Sequence, residues 1–127
     1  RIDIHIEVTP VSIAEINDST PTESSADIRR RVIAAREIQR TRFEGIGIHC
    51  NAMMNSSMLR SFAPLCDNCS ALLERAMTHL NLSARAYDRI IKVARTIADL
   101  AGSEAIEPQH ISEAIGYRSL DRDTWGR

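Results

Sequence analysis

Apolar positions recur along the chain with two different periods. Over the first eight residues Ile2, Ile4, Ile6 and Val8 fall on one side of an extended chain, with Asp3, His5 and Glu7 on the other. That two-residue alternation predicts a strand. After Pro10 and the polar run NDSTPTESS (17–25), the period becomes that of a helix. A helix is expected over 26–43 with Ser25 as its cap, where Ile28, Val32, Ala35, Gln39 and Phe43 share a stripe that can be buried. Gly45 and Gly47 end it, and IGIHCNAMMNSS follows as an irregular segment. A short helix is expected over 57–65 and another over 69–80, with Asp67 or Asn68 near its start. The clearest amphipathic run is NLSARAYDRIIKVARTIADLAG (81–102), capped by Ser83 and closed by Gly102. Its apolar face holds Tyr87, Ile90, Ile91, Ala94, Ile97, Ala98 and Ala101, and Asp88–Lys92 and Arg95–Asp99 form i,i+4 pairs on the opposite face. Pro108 suits the first turn of a last helix through Ile115.

These elements make a mainly α chain: a helical bundle preceded by one strand that has no sheet. An isolated alternating strand cannot bury its apolar side, and this chain opens inside one without a preceding turn, so it is expected to be a piece of a longer protein. With 127 residues there is room for one domain with a modest core. A formal charge of −1 gives no global attraction to nucleic acid. No run of about 18 apolar residues and no signal-peptide pattern is present, and three cysteines fit a reducing cytoplasm better than a disulfide framework.

Candidate chemistry is sparse. There is no G-x-x-x-x-G-K-[ST] and no G-x-G-x-x-G after a strand. His49, Cys50, Cys66 and Cys69 would supply the four ligands of a tetrahedral zinc site, but the C-x-x-C lacks a knuckle's glycines and small, partly buried thiols are the alternative. A thioredoxin-like role would call for a βαβ setting that the pattern does not contain. In RRRVIAAREIQRTR, Arg29, Arg36 and Arg40 form one row beside the apolar stripe, and Arg31 and Arg42 another. That face is either solvated or turned toward an anion such as DNA or an acidic neighbouring subunit. No aromatic residues interleave there, so base stacking has no support. Asp121 and Asp123 are near each other in the tail without a triad-like grouping. Arg85 is the oddest cation: it sits at the second helical position, where the macrodipole is already positive. Either its stem packs on the helix and its head points to water, or an anion sits beside it.

NLSARAYDRIIKVARTIADLAGSEAIEPQHISEAIGYRSLDR resembles the C-terminal region of the magnesium-chelatase-like AAA+ ATPases, nearest to the bacterial ComM/YifB competence-type group. RIDIHIEV, RVIAAREIQRTRF and HCNAMMNSSML continue the resemblance, which covers most of the chain. It implies residues 1–10 as the last strand of the ATPase core, 11–25 as linker, 26–120 as the helical lid and 121–127 as tail. It identifies LSAR with a sensor 2 motif, making Arg85 the group that reaches the γ-phosphate of ATP, and the arginine of RID with an arginine finger, making Arg1 a catalytic group supplied to a neighbouring subunit. The parent would bind ATP and magnesium, form a homo-hexameric ring, and drive DNA remodelling of the branch-migration kind in natural transformation. The chain alone, without Walker A and Walker B segments, is expected to have no ATPase activity. Three alternatives stay open: an AAA+ subunit of a metal chelatase, a standalone helical adaptor binding protein or DNA through the arginine face, and a zinc-stabilised helical module.

Overall fold

In the computed structural model the described residues are Ile4 and residues 23–125, with side chains through Tyr117. Among them are five helices and one 3-10 turn: α1 (Ser25–Arg42), the turn Asn51–Met53, α2 (Ser56–Phe62), α3 (Asp67–Leu80), α4 (Ala84–Leu100) and α5 (Pro108–Trp125). The helical class expected from the periodicity is what the chain adopts. The predicted strand lies outside the described residues apart from Ile4, which is about half exposed at 47%.

Each helix starts where a side chain can satisfy an orphan N–H. Ser24 caps α1, accepting from the N–H of Asp27 at 3.1 Å, so the cap is one residue earlier than the Ser25 expected from sequence. Asn55 caps α2 through the N–H of Met58, and Ser83 caps α4 through that of Ala86. At the start of α5 the imidazole Nδ1 of buried His110 accepts from the N–H of Glu107 at 3.0 Å. α3 begins two residues before the expected start, with the Cys66 sulfur accepting from the N–H of Cys69.

The helix ends are equally specific. α4 stops in a two-bond clasp: the N–H of Ser103 reaches the carbonyl of Ala98 and that of Gly102 reaches Asp99. The clasp requires Gly102 at φ +71°, a left-handed conformation that a Cβ disfavours. α3 ends on Asn81 at φ 53°, a conformation asparagine tolerates. α5 continues to Trp125, well past the expected end near Ile115.

α4 is the hub. It packs against α1, α2, the 3-10 turn and α5, while α3 packs on α5. Ile90, Ile91, Ala94 and Ala98 are buried on its inner face, and Leu73, Ile106, Ile111 and Ala114 close over them. The small residues Ala94 and Ala98, both fully buried, let α5 approach closely. Burying a residue the size of Leu73 contributes about 1.5–3 kcal/mol. Phe43 and Phe62 meet edge to face at 5.2 Å and join the end of α1 to α2.

Only the second half of α1 obeys its predicted stripe. Ala35, Gln39 and Phe43 are buried, whereas Ile28 at 44% and Val32 at 36% are exposed together with Ile33. The stripe is continuous along the helix, but among the described residues the bundle reaches only the end of it.

Candidate functional site

Arg85 occupies the first turn of α4, two positions after the cap. The Ser83 hydroxyl takes the N–H of Ala86 at 3.2 Å and the Ser83 carbonyl that of Tyr87 at 3.1 Å. The N–H groups of Ala84 and Arg85 come before the helical ladder and point out of the helix end. No acidic residue lies in this first turn. Arg85 itself is exposed, with no hydrogen bond or ion pair among the described residues. A positive helix end, free amide donors and an unpaired guanidinium therefore coincide, an arrangement suited to phosphate or carboxylate.

The arginines of α1 fall into two groups. Arg29, Arg36 and Arg40 are all exposed, as the row predicted from sequence requires. Arg40 is paired with Glu37 at 2.6 Å, and beside the row Arg30 pairs with Asp27 and Arg31 with Glu23. Local acids thus offset part of that face. Arg42 does not belong to it. Arg1 lies outside the described residues.

Arg42 instead turns inward to a buried polar cluster between α1, the 3-10 turn and α4. Its guanidinium holds Asp99 with two bonds, 2.6 Å to Oδ1 and 2.9 Å to Oδ2. The Asn51 amide donates to Asp99 Oδ2 at 2.9 Å and to the Thr96 hydroxyl at 3.1 Å, while its oxygen accepts from Arg42 at 2.9 Å. The N–H of Asn51 is in turn taken by Gln39 Oε1 at 3.0 Å. Arg95 reaches Asp99 at 3.1 Å and clamps the carbonyls of Ser103 and Glu104 at 2.8 and 3.1 Å. Asp99 is completely buried and Arg95 is 3% exposed. Burial pulls the Arg95 guanidinium below its usual value, with Asp99 working in the opposite direction. Its Nε has no hydrogen-bond partner among the described residues, and a buried donor left so costs about 1–3 kcal/mol.

This cluster corrects the expectation that Arg95–Asp99 is a solvated i,i+4 pair. The spacing is as expected, but the face is wrong because Arg42, 57 residues earlier in sequence, covers it. The paired spacing Asp88–Lys92 also dissolves: Asp88 accepts from the Ser56 hydroxyl at 2.6 Å and Lys92 donates to the carbonyl of Ala52 at 3.3 Å. Both side chains serve helix-to-neighbour contacts rather than each other. The one local hint of the cluster was the glutamine in a buried stripe, Gln39, which needed a polar partner.

The cysteine and histidine residues do not converge as a metal site. Among the described residues no group of three His, Cys, Asp or Glu side chains could hold an ion. His49 is exposed and Cys50 is half-buried. Cys66 and Cys69 do meet, with sulfurs 3.2 Å apart.

The family described as magnesium chelatase, subunit ChlI C-terminal, matches residues 22–118. The uncharacterized protein YifB of Escherichia coli strain K12 is 42% identical over 96% of this chain, and the chain covers 24% of that protein. Competence protein ComM of Haemophilus influenzae is also 42% identical over 96% of the chain, covering 23% of its length. YifB of Salmonella typhimurium is 37% identical over the same share. The chain thus spans about a quarter of the length of the curated relatives it matches.

Proposed function

The chain belongs to the magnesium chelatase ChlI C-terminal family, and from that premise we propose that it is the helical lid of a ring-forming AAA+ ATPase, with Arg85 as its contact to the γ-phosphate of ATP. One observation carries the reading: Arg85 is exposed and unpaired in a first turn that contains no acid. An arginine placed there only for solubility would gain from a carboxylate one turn away, but the carboxylate at that spacing, Asp88, is taken by the Ser56 hydroxyl at 2.6 Å. When bound, ATP with its magnesium supplies the triphosphate anion that this helix end suits.

The rest of α4 makes the contact mechanically useful. Its C-terminal half is fixed to α1 through Arg42 and Asn51 and to the loop before α5 through Arg95. A pull on Arg85 is therefore a pull on the whole bundle. That is what a lid needs in order to turn phosphate binding and loss into domain rotation. Arg1 would serve the neighbouring subunit as an arginine finger, which makes turnover depend on ring assembly. By likeness to the competence protein, the motor's work in this reading is DNA remodelling in a hexamer; a metal-chelatase motor would use the same lid.

Arg85→Ala in the full-length protein tests the assignment. The expected result is a loss in ATP turnover on the order of 10²–10³, the range for removing one preorganised donor from charge that develops in a transition state. Arg85→Lys should recover part of it, since a point charge survives without the fork. Turnover equal to wild type in Arg85→Ala would end the sensor reading.

A further inference from the structure

The C-x-x-C of this chain has a geometry that the lid function does not use. Cys66 is the N-cap of α3 and Cys69 is its third helical residue. Cys66 is exposed, and its sulfur accepts the N–H of Cys69 at 3.4 Å. Cys69 is completely buried and donates its S–H to the carbonyl of Ile106 at 3.4 Å. The two sulfurs are 3.2 Å apart. A disulfide of about 2.05 Å would need them to close by only about 1 Å, within the reach of side-chain rotation.

We propose that Cys66 and Cys69 form a redox-active dithiol that exchanges with low-molecular-weight disulfides, Cys66 being the attacking sulfur and Cys69 the resolving one. In the first step the Cys66 thiolate attacks one sulfur of RSSR; a Cys66–SR bond forms, the S–S bond of RSSR breaks, and the other half leaves as RS⁻, which takes up the proton lost by Cys66. In the second, the Cys69 sulfur gives up its proton and attacks Cys66, forming the Cys66–Cys69 bond and releasing the second RSH. The protein loses two electrons and two protons, and the disulfide becomes two thiols.

The division of labour follows from position. The N–H of Cys69 and the helix end favour a negative Cys66 sulfur and hold its thiol below the ordinary 9.0. Burial is the main reason the Cys69 thiol is pushed up to about 11, with the neighbouring Cys66 sulfur and, less, Glu107 adding to the same effect. Asp67, in the first turn of α3, is the acid nearest in sequence to Cys66. Closure also removes the Cys69 S–H from the Ile106 carbonyl, so oxidation is expected to loosen the residues leading into α5.

The reduced chain should be incubated with glutathione disulfide, quenched with acid, alkylated and mapped by mass spectrometry. The expected product has Cys66 linked to Cys69 and Cys50 still alkylated. In Cys69→Ala the glutathione adduct should remain on Cys66, and in Cys66→Ala residue 69 should stay unmodified. At neutral pH iodoacetamide should label Cys66 about tenfold or more faster than Cys69. A stable glutathione adduct on wild-type Cys66, a bridge to Cys50, or three thiols that all remain alkylatable would each overturn the proposal. The wild-type measurements decide it even if loss of the buried Cys69 unfolds the variant, which circular dichroism will show.

Discussion

The two ends of α4 use arginine in opposite ways. At the C-terminal end Arg95 is buried beside Asp99, with Arg42 on the other side of the same carboxylate. At the N-terminal end, ten residues and about 15 Å away along the axis, Arg85 is exposed with no partner among the described residues. The first end is committed to structure, because Arg42 and Asn51 tie Asp99 to α1 and the 3-10 turn, and Arg95 ties α4 to the loop before α5. The second is uncommitted: among the described residues nothing offsets a cation held there against the helix dipole. In the proposed reading one helix carries a structural anchor and a ligand contact, and the rigidity of the first would let the second act at a distance.

The contrast breaks most severely at Asp99. Asp99→Ala leaves two guanidinium groups without their buried carboxylate and should destabilise the chain by about 3–5 kcal/mol, a large part of the total stability of a small domain. Urea unfolding followed by circular dichroism measures it, and a change below about 1 kcal/mol would mean that the cluster does not anchor α4. Asn51→Ala comes next, at about 1–3 kcal/mol, because Arg42, Thr96 and Asp99 keep some of their other bonds or reach water, and the N–H of residue 51 still reaches Gln39. Arg85→Ala should move the unfolding midpoint by no more than about 0.5 kcal/mol in this chain, while removing most ATP turnover in the full-length protein. Equal damage to stability and turnover would place Arg85 in the structural class. Arg36→Gln and Arg29→Gln should have the smallest effect on stability, since both are exposed; loss of salt-sensitive DNA binding in that pair would instead favour the adaptor reading.

A pH test sharpens a third case, a buried thiol. The Cys69 thiol is raised in the fold to about 11 from an ordinary 9.0, so the folded chain prefers it neutral. Its contribution to stability is full below 9.0 and is lost as pH rises toward about 11, where the unfolded chain has already released the proton. Denaturation midpoints in reducing buffer should fall across that window more in wild type than in Cys69→Ala.

Much of the architecture was legible from local pattern. Ser83 and Gly102 bound α4 as capping chemistry requires, and Ile90, Ile91, Ala94 and Ala98 are buried as their spacing predicts. The position of Arg85 was legible too, exposed in the first turn of α4, because a cation at a helix N-terminus can be seen from seven residues. The misreadings concern what covers a face. Ile28 and Val32 continue a buried stripe by period yet are exposed, and Arg95–Asp99 looks like a surface pair yet is buried.

The sequence by itself determined where helices begin and end and which residues share a face, since caps and periodicity act over one or two turns. Only the tertiary structure decided which faces meet. Asp99 becomes an anchor because Arg42 and Asn51 arrive from 57 and 48 residues away, and Cys69 becomes a buried thiol because Ile106 closes over it from 37 residues away. Burial is a property of the neighbour as much as of the residue, and a neighbour so far along the chain leaves no local mark.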